Sequence, residues 1–166
     1  MGLADLLRRL SGPPALRPPG ARPVGEFAAL CMRCGRCVAA CPYRALVPAR
    51  LGHGLEAGTP VVEARQAPCL LCLLCPPACP SGALAPVGRQ ADVRMGRARV
   101  VAERCYAHKG ILCRTCVDEC PLGEEALRQD GDLRPVVTER CVGCGVCEAR
   151  CPAEPSAILI VPAGAA

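Results

Sequence analysis

Short apolar stretches recur along the chain in step with its cysteines. Pro60-Val61-Val62-Glu63, Ala98-Arg99-Val100-Val101 and Pro135-Val136-Val137-Thr138 each come shortly before a group of cysteines. Ala45-Leu46-Val47, Ala83-Leu84-Ala85, Ala126-Leu127-Arg128 and Ala157-Ile158-Leu159-Ile160-Val161 each follow one. Short apolar runs of this length, several of them carrying Val or Ile, read as short strands, and no segment between the groups sustains the 3.6-residue period of an amphipathic helix. The pattern predicts a repeated unit of strand, cysteine loop, short helical turn and strand, an α+β arrangement. Asp130-Gly131-Asp132 supplies a tight hairpin between the third and fourth groups, with Gly131 tolerating positive φ. Helical spacing appears at the start, where Leu3, Leu6, Leu7 and Leu10 fall at i, i+3, i+4 and i+7. Pro13, Pro14, Pro18, Pro19 and Pro23 then predict an extended, semi-rigid stretch.

The groups begin at Cys31, Cys69, Cys105 and Cys141, separated by 38, 36 and 36 residues, so the chain is a fourfold repeat. The 16 cysteines among 166 residues inflate the hydrophobic fraction of 51%. Phe27, Tyr43 and Tyr106 are the whole aromatic complement. Aromatics bury the most surface per residue, so something besides side-chain packing must help to hold this fold.

Three groups obey one rule, C-x2-C-x2-C-x3-C-P: Cys31, Cys34, Cys37, Cys41 with Pro42; Cys69, Cys72, Cys75, Cys79 with Pro80; and Cys141, Cys144, Cys147, Cys151 with Pro152. In this bacterial ferredoxin run three cysteines wrap one 4Fe-4S cube and the fourth ligates the neighbouring cube. Proline restrains the cysteine before it to extended backbone and opens the next turn. Gly35 and Gly145 stand where the loop must turn tightly. The third group departs from the rule, with seven residues between Cys105 and Cys113, followed by Cys116, Cys120 and Pro121. Its ligand count is still four, so the sequence predicts four 4Fe-4S clusters on sixteen cysteines, with no ligand missing or left over.

Two pairings are open. Adjacent pairing gives the sets Cys31, Cys34, Cys37, Cys79; Cys69, Cys72, Cys75, Cys41; Cys105, Cys113, Cys116, Cys151; and Cys141, Cys144, Cys147, Cys120. Nested pairing joins groups one and four, which share Gly35 and Gly145, and groups two and three. Zinc knuckles need neither a third cysteine at x2 nor a Cys-Pro three residues later, four times over. His108 has a C-x2-H spacing from Cys105, but four cysteines already complete that set, and His53 has still less claim to be a ligand.

Other classes fall away. The charge-free run from Gln66 to Gly88 contains Pro68, Pro76, Pro77, Pro80 and Pro86, so it is no membrane helix. Arg8-Arg9 lacks the apolar stretch that an export signal needs, which favours a cytoplasmic protein over an exported one. The formal charge of +5 does not mean nucleic-acid binding, because single-strand binders interleave cations with aromatic platforms that this chain lacks. Each oxidised cluster with its four thiolates carries about -2, which brings the assembled protein from +5 to about -3. No phosphate loop, and no nucleophile with a positioned base, points to an independent enzyme.

From about Arg17 to Val161 the chain resembles the NapF, NapG and MauM ferredoxin-type proteins associated with periplasmic nitrate reduction and methylamine utilisation. The resemblance rests on Arg17-Pro18-Pro19-Gly20, Gly58-Thr59-Pro60 and Cys79-Pro80-Ser81-Gly82-Ala83-Leu84, and above all on Cys105-Tyr106-Ala107-His108-Lys109-Gly110-Ile111-Leu112-Cys113. Group two has short regular spacing where NapG-like members often carry a longer one. In length and in lacking a signal the chain is more similar to the cytoplasmic NapF.

The expectation is therefore an α+β protein of two bacterial ferredoxin-like modules with two 4Fe-4S clusters each. Residues 1-25 form an N-terminal helix and linker, 26-90 the first module and 91-166 the second. Its function is expected to be single-electron relay between a donor, such as a membrane quinol dehydrogenase or reductase, and a redox enzyme such as a molybdoenzyme. The alternative is a maturation factor for a molybdoenzyme. No transmembrane segment is expected, and the N-terminal helix is a candidate for peripheral docking.

Overall fold

The computed structural model describes residues 14–164. The helix expected through Leu3, Leu6, Leu7 and Leu10 lies outside the described residues. In chain order the elements are α1 Val24–Leu30, α2 Arg36–Ala39, β1 Leu46–Pro48, β2 Pro60–Val62, β3 Gly96–Val100, α3 Thr115–Asp118, β4 Leu127–Gln129, β5 Pro135–Val137, α4 Val146–Arg150 and β6 Ile158–Pro162, with single 3-10 turns between them. The strands form three antiparallel pairs, β1 with β2, β3 with β6 and β4 with β5.

In the first pair Leu46 faces Val62 and Pro48 faces Pro60, each proline ending its strand where no ladder donor is needed. All of β2 is buried because the proline-rich stretch lies along it: the Val62 N–H donates to the Leu16 carbonyl at 2.8 Å. Arg17 in that stretch is buried and fully engaged. It donates to Thr59 Oγ1 (2.7 Å) and the Pro60 carbonyl (3.1 Å), pairs with Glu56, and stands 4.9 Å over the Phe27 ring. A buried cation is tolerable where it is paired and hydrogen-bonded in this way.

Six of the seven expected strands form. Ala83-Leu84-Ala85 is reduced to a single bridge from Leu84 to Ala21, with the Ala85 N–H donating to Gly20 and the Arg22 N–H to Ala83. The facing segment contains Pro18 and Pro19, which have no N–H to extend a ladder. The helical turn around Cys37, Cys116 and Cys147 is likewise missing at Cys75, where Pro76 and Pro77 follow directly. The hairpin β4–β5 forms at Asp130-Gly131-Asp132, but its left-handed residue is Leu133 (φ 60°) and not Gly131. Asp130 accounts for the difference, since its carboxylate accepts the N–H groups of Asp132 and Arg134, both at 2.9 Å, and so shapes the turn itself.

The sheet β3–β6 joins a strand before group three to one after group four, in register from Gly96↔Pro162 to Val100↔Ile158, and so encloses the third and fourth groups. Gly96 also touches Gly143: a Cβ added at Gly143 would lie 2.5 Å from the Gly96 backbone, whereas one added at Gly35 meets nothing within 4 Å. Both glycines have φ +74°. Gly35→Ala is therefore expected to cost the holo-protein about 1–2 kcal/mol, the left-handed strain alone. Gly143→Ala should cost at least twice as much, because backbone cannot yield. Denaturation midpoints of the two variants check this ranking. Among the described residues no helix is long and apolar enough to cross a membrane.

Candidate metal centres

The fold gathers the sixteen cysteines around four cavities. Cys31, Cys34, Cys37 and Cys79 line the first, and Cys69, Cys72, Cys75 and Cys41 the second. Cys105, Cys113, Cys116 and Cys151 line the third, and Cys141, Cys144, Cys147 and Cys120 the fourth. In every case three cysteines come from one group and the fourth from its sequence neighbour, the adjacent arrangement and not the nested one. His108 and His53 line none of these cavities.

The donor sets fit an iron-sulfur cluster better than a single zinc ion. Tetrahedral zinc at Zn–S of about 2.3 Å would draw its sulfurs to about 3.8 Å from one another. Among the described residues no three His, Cys, Asp or Glu side chains close around a point in a way that would hold one ion. Each set instead brings four cysteines to one shared cavity whose lining holds no His, Asp or Glu. That arrangement suits a cube with an iron at each thiolate.

The loops share a backbone device that spacing alone does not reveal. In groups one, two and four the residues on either side of the second cysteine both have positive φ: Arg33 and Gly35, Leu71 and Leu73, Gly143 and Gly145. Left-handed residues interleaved in this way turn successive N–H groups toward one concave side and form a nest for an anionic group such as an iron-sulfur core. Only in group four are both positions glycine, so Arg33, Leu71 and Leu73 carry strain that the loop imposes. Group three takes another route. Tyr106 to Gly110 coil into a 3-10 turn, the Lys109 N–H reaching the Cys105 carbonyl and the Ile111 N–H reaching Tyr106, with Gly110 left-handed at φ 79°. The seven-residue spacing is thereby compacted, and Cys105 joins Cys113 at the third cavity.

Two of the fourth cysteines and the first cysteine of group four receive N–H donors at sulfur: Ala45 to Cys41 (3.4 Å), Ala157 to Cys151 (3.3 Å) and Ala98 to Cys141 (3.4 Å). Burial pushes the thiols of Cys69 and Cys144 up to about 11 and those of Cys75 and Cys116 up to about 12, and raises Cys147 as well. Cys79 is lowered instead: burial acts upward on it, but the Ser81 hydroxyl and nearby backbone N–H groups outweigh that. Even in a metal-free, unfolded chain an ordinary thiol, with a pKa of about 8.5, is mostly neutral at pH 7, whereas a ligand is a thiolate, so cluster loading must release protons. Apparent loading affinity is therefore expected to rise with pH up to about 8.5, with proton release visible in lightly buffered reconstitution. Loading that is independent of pH between 6 and 9 would contradict this.

The cavities follow one another in an order different from that of the groups along the chain. The exchanged fourth cysteines, Cys41 and Cys79, tie cavity one to two, and Cys120 and Cys151 likewise tie three to four. Between the modules the Cys69 N–H donates to the Cys144 carbonyl at 3.0 Å. Leu71, Cys75, Met95, Val142 and Cys144 share one buried core there. The row is thus one, two, four, three. Sequence reasoning missed this order, which depends on contacts between residues about 75 positions apart.

A 4Fe-4S dicluster domain profile matches residues 30–83, and a second 4Fe-4S dicluster domain profile matches 108–152. The second match starts after Cys105, so that first ligand of group three falls outside it. With two clusters per domain, the chain carries four 4Fe-4S clusters. It is 41% identical to the ferredoxin-type protein NapG of Escherichia coli (98% of this chain, 76% of that one). It is 42% identical to the methylamine utilization ferredoxin-type protein MauM of Methylorubrum extorquens (89% and 73%). Identity to the ferredoxin-type protein NapF of Haemophilus influenzae is 34%, over 82% of this chain and 74% of that one. Sixteen cysteines walled into four cavities, two dicluster domains and identity over nearly the whole chain make it a member of the NapG and MauM family of ferredoxin-type iron-sulfur proteins.

Proposed function

We propose that the chain is a non-enzymatic one-electron relay in which the four cysteine sets named above ligate four clusters, with residues 26-90 and 91-166 as its two modules. Each bound cluster supplies one-electron chemistry; the protein supplies position, burial and hydrogen bonds to sulfur. The observation that carries this reading is the unbroken row of four cysteine-lined cavities. Its two ends are open to partners. Cys34 is exposed beside Met32 at the first cavity, and Ile111 and Leu112, 55% and 85% exposed, precede Cys113 at the third. The partners in this reading are a quinol-oxidising donor and a redox enzyme such as a molybdoenzyme.

Stopped-flow mixing of the reduced four-cluster protein with a candidate acceptor tests it. A carrier is reoxidised at a rate that matches turnover of the acceptor. A maturation factor would bind the apo-enzyme and leave turnover of mature enzyme unchanged, and that result would overturn the relay.

A further inference from the structure

The junction between the modules is stitched at three successive points. Ala64 packs on Gly145 so closely that a Cβ on Gly145 would lie 2.4 Å from the Ala64 Cβ. Arg65, the next residue, reaches across with its guanidinium. Nη1 donates to the carbonyls of Glu148 (2.8 Å), Ala149 (3.3 Å) and Cys151 (3.1 Å), and Nη2 pairs with Glu154 at 2.6 Å. Four residues on, Cys69 donates to Cys144.

The carbonyls that Arg65 takes belong to the end of α4 and the residue after it, where a helix leaves acceptors without internal partners. Serving three carbonyls and a carboxylate at once takes a rigid fork of several donors, which a lysine ammonium does not offer. The elements held on the far side are functional. α4 contains Cys147 of the fourth cavity, and Cys151, whose carbonyl is bonded directly, lines the third. On the near side, Cys69 lines the second cavity.

We propose that Arg65 is the positioning residue of the inter-module step, fixing the second cavity against the fourth and so setting how fast one electron passes between them. This rests on the relay reading. The step itself is balanced by a single electron: the centre held by Cys69 is oxidised by one, the centre held by Cys144 is reduced by one, and no bond or proton changes.

The test uses the four-cluster protein with Arg65→Gln, Arg65→Lys and Glu154→Gln. Arg65→Gln is expected to keep its iron, because Arg65 is no ligand, to exchange the Cys69 amide at least about tenfold faster in deuterium, the factor that one charge-assisted hydrogen bond is worth, and to weaken the magnetic coupling between modules in the reduced protein. Arg65→Lys should not rescue it, and Glu154→Gln, which removes one exposed anchor, should fall between. Full iron with unchanged exchange and coupling in Arg65→Gln overturns the proposal. If that variant loses iron, Glu154→Gln decides in its place, and unchanged exchange there overturns it. Amide exchange needs no partner, so a failed relay reading would leave the clasp still measurable, whereas a failed clasp would leave electron exchange with partners intact.

Discussion

Anaerobic removal of the four clusters is expected to unfold the chain from about Phe27 to Pro162. The helices run from four to seven residues, well below the length at which an isolated helix persists in water. Each sheet has two strands of three to five residues, and a lone two-stranded sheet is marginal. The buried core is built in good part from cysteines, among them Cys37, Cys69, Cys75, Cys105, Cys116, Cys144 and Cys147. Phe27 is the one aromatic in it. Emptied of metal, the walls of four cavities face one another across space that no side chain fills, and the lost contacts have no substitute. Cluster binding free energy is then folding free energy. Far-UV circular dichroism before and after chelation reads the outcome, a loss of most of the ordered signal together with the iron. A spectrum that survives removal of all iron would mean that the polypeptide packs by itself.

What the sequence made legible follows from where each signal resides. Cysteine spacing is local, and a loop that wraps a cube has to place its ligands at fixed separations, so all sixteen could be identified and grouped. Strands such as Pro60–Val62 and Ile158–Pro162 were legible for the same reason, their apolar runs being short and bounded. Proline explains where that reading stopped: Pro18 and Pro19 truncate the ladder opposite Leu84, and Pro76 and Pro77 forbid the helical turn at Cys75. The left-handed backbone at Leu71, Leu73 and Leu133 had no compositional sign, because residues that do not favour positive φ are held there by their surroundings. The roles of Arg17 and Arg65 were hidden more deeply. Arginine is common in this chain, and bonds to carbonyls some 40 or 80 residues away leave no period or motif.

The spatial order of the cavities predicts a difference between two ligand substitutions that the order along the chain would rank the other way. Cys113→Ala and Cys144→Ala each remove one ligand from one set, and each is expected to cost about one cluster, roughly four of about sixteen irons. Cys113 belongs to the third cavity, which lies at the end of the row, so its loss should leave centres one, two and four coupled. Electrons given to the first module should still cross into the second. Cys144 belongs to the fourth cavity, through which the row enters the second module. Alanine there keeps the backbone carbonyl that accepts the Cys69 N–H, so the junction can persist while its centre is gone. Crossing should then be abolished, and the third centre left isolated. If the centres were connected in sequence order, the third would be the bridge and Cys113→Ala the severe variant. Freeze-quench spectroscopy of each variant, with reduction begun at the first module, distinguishes the two orders. Rapid filling of the third centre in Cys144→Ala would refute the row, because it requires a contact between the second and third cavities in place of the one that the Cys69–Cys144 bond makes.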